Sequence, residues 1–188
     1  MNAQSEAEFR EFYSNRWHRL LRTAYLLTGD HGRAEELLQS AMMRAYRHWR
    51  RIERTDAPEV YVRRIMVNLS ITWWRRRRVP EVLTGSVPEY GGADGQAAHA
   101  QRDELARAVR KLPPRMRAVL VLRYFEDLSE ADTAHALGCS VGTVKSQSHA
   151  AIRHLRTLLG PEVPGGAEGT DPVSTLIPRQ PATGRSTP

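Results

Sequence analysis

Leu128-Ser-Glu-Ala-Asp-Thr-Ala-His-Ala-Leu137-Gly-Cys-Ser-Val-Gly-Thr-Val-Lys-Ser146 reads as a short helix, a glycine turn and a second, longer helix. Ser129 and Ser140 are cap-type residues, because a short side-chain oxygen satisfies a free N–H of the first helical turn. Gly138 supplies the left-handed backbone that ends a helix. Ala134 and Leu137 are placed to meet Val141, Val144 and Ile152, and the small side chain at 134 lets the two helices cross closely. This is the helix-turn-helix arrangement. The leading edge of its second helix presents Thr143, Lys145, Ser146, Gln147 and His149, with Ser140 at its start. These are short polar and cationic groups of the kind that reach phosphates and base edges in a major groove. An ordinary helical hairpin has the same spacing, and in that reading Lys145 and His149 belong to a solvated face. Cys139 fills the turn as a small hydrophobe.

Upstream, Pro113 and Pro114 end one helix, near 103–111, and open the next, near 114–125. With helices near 130–137 and 141–158 they form a unit spanning 102–159. Before it, residues 80–101 collect Pro80, Gly85, Pro88, Gly91, Gly92 and Gly95 together with acidic side chains, and read as a flexible acidic linker. A first unit over 5–79 precedes that. Its second helix carries Ala34, Leu37, Leu38, Ala41, Met42, Ala45 and Trp49 in one stripe, with Asp30 as its cap. A preceding helix runs from about Glu6 to Leu27, and a third begins near Pro58 with Val62, Ile65, Met66, Leu69 and Trp73 inward. The expected fold is therefore all-α, two small helical domains joined by a linker. Residues 160–188, rich in Pro, Gly, Ser and Thr, read as a disordered tail.

Charge is unevenly placed. The chain of 188 residues carries a formal +7, and residues 44–78 alone hold eleven arginines against Glu53, Asp56 and Glu59, a local +8. Such a surplus draws a polyanion. Lys111 and Lys145 are the only lysines, an arginine bias that a GC-rich genome also produces. One cysteine precludes an intramolecular disulfide and fits a reducing cytoplasm. The polar, acidic start Met1 to Phe9 and the lack of a long apolar run argue against membrane insertion. The seven histidines show no HExxH spacing, and no phosphate loop or GxSxG occurs, so neither an enzyme, a metal nor a cofactor is expected.

Two motif sets carry a family resemblance. Leu112-Pro113-Pro114-Arg115, Arg117 to Tyr124, the Leu128 to Gly138 helix and Cys139 to Gln147 resemble region 4 of the extracytoplasmic-function (ECF) sigma factors of the sigma-70 family, especially their SigE-like subgroup. Leu27-Thr-Gly-Asp30, Ala34 to Gln39, Tyr61 to Leu69 and Trp73-Trp74-Arg-Arg-Arg-Arg78 resemble region 2. The sets occur in the family's order and cover about residues 10 to 78 and 103 to 158.

The resemblance implies a cytoplasmic protein that binds core RNA polymerase, as a monomer there, and directs it to promoter DNA. Glu35, Glu36 and Gln39 match the helix that docks on the polymerase clamp. Arg54, Thr55 and Asp56 match the loop that captures a flipped base of the minus-10 element. Asn68 matches a polar residue facing the opened strand, and Arg63, Arg64 and Arg75 to Arg78, with Arg75 and Arg76 foremost, match groups that meet phosphates at the upstream edge of the bubble; Trp73 belongs to the buried stripe, and its neighbour Trp74, about 100° away round the helix, is the candidate to stack on a base. The leading edge of the helix after Ser140 is implied to read the minus-35 element, and an anti-sigma factor is a further partner. Gln147 and Ala150 stand where the family commonly has arginine, so the minus-35 sequence is not inferable; Glu36 stands where aspartate is commoner. On the residues alone, a stand-alone helix-turn-helix regulator and a protein coating DNA without specificity remain alternatives.

Overall fold

A computed structural model describes residues 3–52, 58–76 and 96–159, with side chains of the last stretch described from residue 104. Arg54, Thr55, Asp56, Arg77 and Arg78, residues 80–95 of the expected linker and the tail 160–188 lie outside the described residues. The described chain is helical, without strands: α1 (Ala3–Thr28), α2 (His31–Arg47), α3 (Trp49–Ile52), α4 (Pro58–Arg76), α5 (Gln96–Lys111), α6 (Pro114–Leu120), a π-helical turn (Val121–Phe125), α7 (Glu130–Leu137) and α8 (Val141–Leu159).

The boundaries follow local chemistry. Gly29, at φ 76°, turns the chain out of α1, and Asp30 accepts a hydrogen bond from the Arg33 N–H at 2.9 Å to open α2. Pro58 and Pro114 take first-turn positions, where the missing N–H costs nothing. Ser129 caps α7 by accepting from the Asp132 N–H at 3.0 Å, and Gly138 closes it at φ 62°. Three features go beyond the periodicity. Trp49 is buried but follows a break at His48, in α3. The helix α5 begins at Gln96, inside the stretch read as linker. The segment 114–125 is α6 followed by a π turn, which closes on Glu126 N–H to Val121 carbonyl at 3.1 Å.

Helices α1, α2 and α4 bury one core that includes Leu20, Leu27, Leu37, Leu38, Val62 and Met66. A second core joins Leu105, Val109, Leu112 and Leu120 to Ala151 and Leu155. Val119, Ala134 and Val144 form a third, at the helix-turn-helix crossing, with Leu137 and Cys139 against it. Two expected members of that crossing lie elsewhere. Val141 is 39% exposed, and Ile152 packs with the second core. Eight residues carry Ile152 about 80° round the helix from Val144, toward α5 rather than α7.

The two units are in contact. Ala118, Val121, Leu122 and Ala136 belong to the same buried cluster as the first unit's Leu20, Leu27 and Met66. Nothing in the local periodicity announces this shared seam.

Candidate nucleic-acid interface

Helix α8 holds its expected contact residues as a graded edge. Lys145, Ser146 and His149 are exposed, while Thr143 and Gln147 are half-buried. The Lys145 ammonium lies 3.6 Å from Glu130 of α7, an exposed pair of little energetic weight that leaves the cation available. Ser140 is exposed, but its Oγ accepts from the Thr143 N–H at 3.1 Å, so it caps the helix. Ser140→Ala is therefore expected to lower unfolding free energy by about 1 kcal/mol, with Ser140→Asn restoring most of it. Urea midpoints at unchanged slope check this; an alanine variant as stable as the parent would rule out the capping role.

Helix α4 carries the second set. Asn68, Arg75 and Arg76 are exposed, whereas Arg64, Trp73 and Trp74 are half-buried. Trp73 packs on the first core, in keeping with its stripe. The Arg117 guanidinium lies over the Trp74 ring at 4.9 Å, and the Arg64 guanidinium meets His135 Nε2 of α7 at 3.3 Å. A cavity of about 250 Å³ between the end of α4 and the start of α2 is lined by Arg33, Glu36, Ser70, Trp73, Trp74 and Arg76 among others. Indole faces beside guanidiniums can stack a base and hold its phosphate.

On α2, Glu35, Glu36 and Gln39 are all exposed. The same side continues into Met43, 62% exposed, and Tyr46, 42% exposed. That apolar extension escaped the sequence reading, although the spacing 36, 39, 43 and 46 was visible as a helical stripe.

The polar network between the units was also unforeseen. Glu126, at the end of the π turn, accepts from the Thr23 hydroxyl and pairs with Arg63 at 2.7 Å and Arg19 at 3.7 Å. Arg63, expected to meet phosphates, is buried instead and also pairs with Glu59. Burial pulls Arg63 below the usual arginine range, with Glu126 and Glu59 opposing that shift. Arg117 is buried and donates to the carbonyls of Leu27 at 2.9 Å, Leu112 at 3.1 Å and Arg110. Burial first, and the neighbouring Arg110 second, push it down to about 10. Among the described residues no group of His, Cys, Asp and Glu is placed to hold a metal ion, and no helix is long and apolar enough to cross a membrane.

The profile of sigma-70 region 2 matches residues 13–79, and that of sigma-70 region 4 matches residues 102–155. The RNA polymerase sigma-E factor of Streptomyces coelicolor is 42% identical over 149 residues, covering 79% of this chain and 84% of that protein. This chain is a sigma factor of the sigma-70 family. Among ECF relatives, the sigma factor SigL of Mycobacterium tuberculosis is 33% identical over 162 residues, 84% of this chain and 92% of its own length. In fold, the sigma factor resembles RpoE of Bartonella quintana, solved with the anti-sigma factor NepR, at TM-score 0.65 and 23% identity over 82% of this chain and 98% of that one. CnrH, solved with the cytosolic domain of CnrY, follows at TM-score 0.57 and 21% identity, over 84% and 93% of the two chains.

Proposed function

We propose that this sigma factor mounts on core RNA polymerase in the cytoplasm and directs it to promoters by gripping the minus-35 and minus-10 elements with α8 and α4. The observation that carries the proposal is the presence, in one chain and in the family's order, of an exposed polar edge on α8 and a cationic, tryptophan-bearing end on α4. The exposed acidic side of α2, with Glu35, Glu36 and Gln39, suits a basic docking partner on the polymerase clamp. Thr143, Lys145, Ser146, Gln147 and His149 serve duplex recognition, with Ser140 holding the helix start. Arg64, Asn68, Trp74, Arg75 and Arg76 serve the opened strand, alongside a base pocket at Arg54, Thr55 and Asp56.

The polymerase makes the phosphodiester bonds. The sigma factor contributes differential binding: a face that prefers separated strands to duplex shifts the melting equilibrium toward the open form. Extruding a base costs a few kcal/mol, and stacking returns about 1 to 3 kcal/mol per base. An anti-sigma protein of the kind seen with the fold relatives is a further partner, through the same surfaces. The stand-alone regulator is not favoured, because region 2 occupies the place of its ligand or dimerisation domain. Run-off transcription on fragmented genomic DNA, with core polymerase with and without this chain, tests the proposal. New, discrete start sites are expected only when both are present; an unchanged transcript pattern would refute it.

A further inference from the structure

We propose that the cavity between the end of α4 and the start of α2 is a binding site for a single nucleotide, which inserts an amino-bearing base between the walls and leaves its phosphate on Arg33 and Arg76. Two helices supply most of the walls. Ser70, Trp73 and Trp74 recur at three- and four-residue spacing and so share one face of α4. Arg33 and Glu36 line the cavity from the first two turns of α2, with Thr28 at the end of α1. This place is separate from the base pocket proposed at Arg54, Thr55 and Asp56. Helix α4 opens at Pro58, and the helix from there to Ser70 rises by about 18 Å. The cavity, at about 250 Å³, is smaller than the roughly 300 to 1,000 Å³ that takes a drug-sized ligand. It suits one planar ring and not a run of nucleotides.

The polar groups decide which ring. The buried Ser70 hydroxyl donates its one proton to the Val67 carbonyl at 2.8 Å. The Thr28 hydroxyl donates to the carbonyls of Ala24 at 2.9 Å and Asp30 at 3.1 Å. Both therefore offer a ligand only lone pairs, and the Glu36 carboxylate likewise only accepts. Adenine and cytosine present an exocyclic amine to such acceptors, whereas thymine presents a carbonyl oxygen in its place. The indoles of Trp73 and Trp74 give the ring a stacking surface. Arg117 lies over the Trp74 ring but is not among the walls. Among the described residues Arg33, Glu36 and Arg76 form no ion pair, so both guanidiniums are available to a phosphate. A base of the promoter strand and a free nucleotide present the same chemistry here. The inference rests on the assignment of α4 to the strand only for the first of those sources.

Titration of the full chain with mononucleotides, followed by tryptophan emission, tests the site. Deoxyadenosine and deoxycytidine monophosphates are expected to bind at least about threefold more tightly than thymidine monophosphate, and at least about threefold more tightly than their own nucleosides. Ser70→Ala removes an acceptor and is expected to shrink the base preference while thymidine monophosphate binds as before. Arg33→Gln is expected to shrink the phosphate effect and keep the base preference. A merely structural role would weaken every ligand alike. A parent chain that fails either ratio, or a base preference that Ser70→Ala leaves intact, would overturn the proposal; should Ser70→Ala not fold, an undiminished phosphate effect in Arg33→Gln would overturn it instead. A single-stranded hexamer of deoxyadenosine separates the sources. Binding more than about tenfold tighter than the monophosphate, beyond what six equivalent bases give by number alone, assigns the site to the strand. A smaller gain assigns it to a free nucleotide and takes the cavity out of the strand path. The run-off assay reads the sigma function independently of either result.

Discussion

Arg117→Ala is expected to lower the unfolding free energy by about 2 to 4 kcal/mol, one of the largest effects available to a single substitution in this chain. The residue is 2% exposed, and its guanidinium donates to carbonyls from three places: Leu27 at the end of α1, Arg110 at the end of α5 and Leu112 in the turn before α6. Alanine leaves those acceptors without their donor, opens a void and uncovers Trp74. Relief of the cost of burying a charge offsets part of the loss, which keeps the expectation below the sum of the separate contacts. Arg117→Met fills most of the void without donating, so the gap between the two variants measures packing and the remainder measures the hydrogen bonds. Urea midpoints for the parent and both variants are the test, and an alanine variant within about 0.5 kcal/mol of the parent would show that the buried arginine does not hold the seam.

The same residue has a pH signature. Its value falls from the usual arginine range to about 10 on folding, chiefly through burial, so the unfolded chain binds more protons over that interval. Its contribution to stability is present above the ordinary arginine value and lost as pH falls through about 10. Relative to Arg117→Ala, the parent is therefore expected to gain stability as pH rises from about 10, and to show no pH-dependent difference from this group near neutrality.

The second large effect belongs to Arg75 and Arg76, the exposed cations at the end of α4. Replacing both by alanine is expected to weaken promoter binding by the polymerase holoenzyme by about two orders of magnitude at 0.1 M salt. Each phosphate neutralised contributes about 0.7 to 0.9 to the slope of log affinity against log salt, which amounts to about five- to eightfold per contact between 1 M and 0.1 M. Two lost contacts flatten the slope by about 1.4 to 1.8 and remove a factor of about 25 to 60, with geometric disruption of the strand path adding to it. Filter binding across a salt series reads both quantities together. An unchanged slope would place these arginines away from phosphates, and a flattened slope without loss of start-site choice would show that they position the strand without reading sequence.

Much of the molecule is legible residue by residue. The caps at Asp30 and Ser129, the glycine turn at 138, the prolines at 58 and 114, and the buried stripe of α2 all act within a turn or two of helix, and each occurs where the periodicity places it. The exposed edge of α8 and the cationic end of α4 are equally local, because a helix shows its faces by spacing alone. Val141 and Ile152 depart from expectation because α8 packs into two separate clusters, around Val144 and around Ala151 and Leu155, and leaves Val141 exposed, which no single stripe encodes.

The order of the helices, the two motif sets and the family therefore follow from the chain as written, since hydrophobic spacing and capping are short-range forces with short-range signatures. How the units meet does not. Arg117 reaches a carbonyl 90 positions away, at Leu27, and Glu126 finds Thr23 across 103 positions. In the sequence Glu126 is one acid near a turn and Arg117 one arginine among many. Only packing removes water from around them, and desolvation is what turns ordinary surface-type charges into a buried contact that covers Trp74 and decides which face of α4 is free.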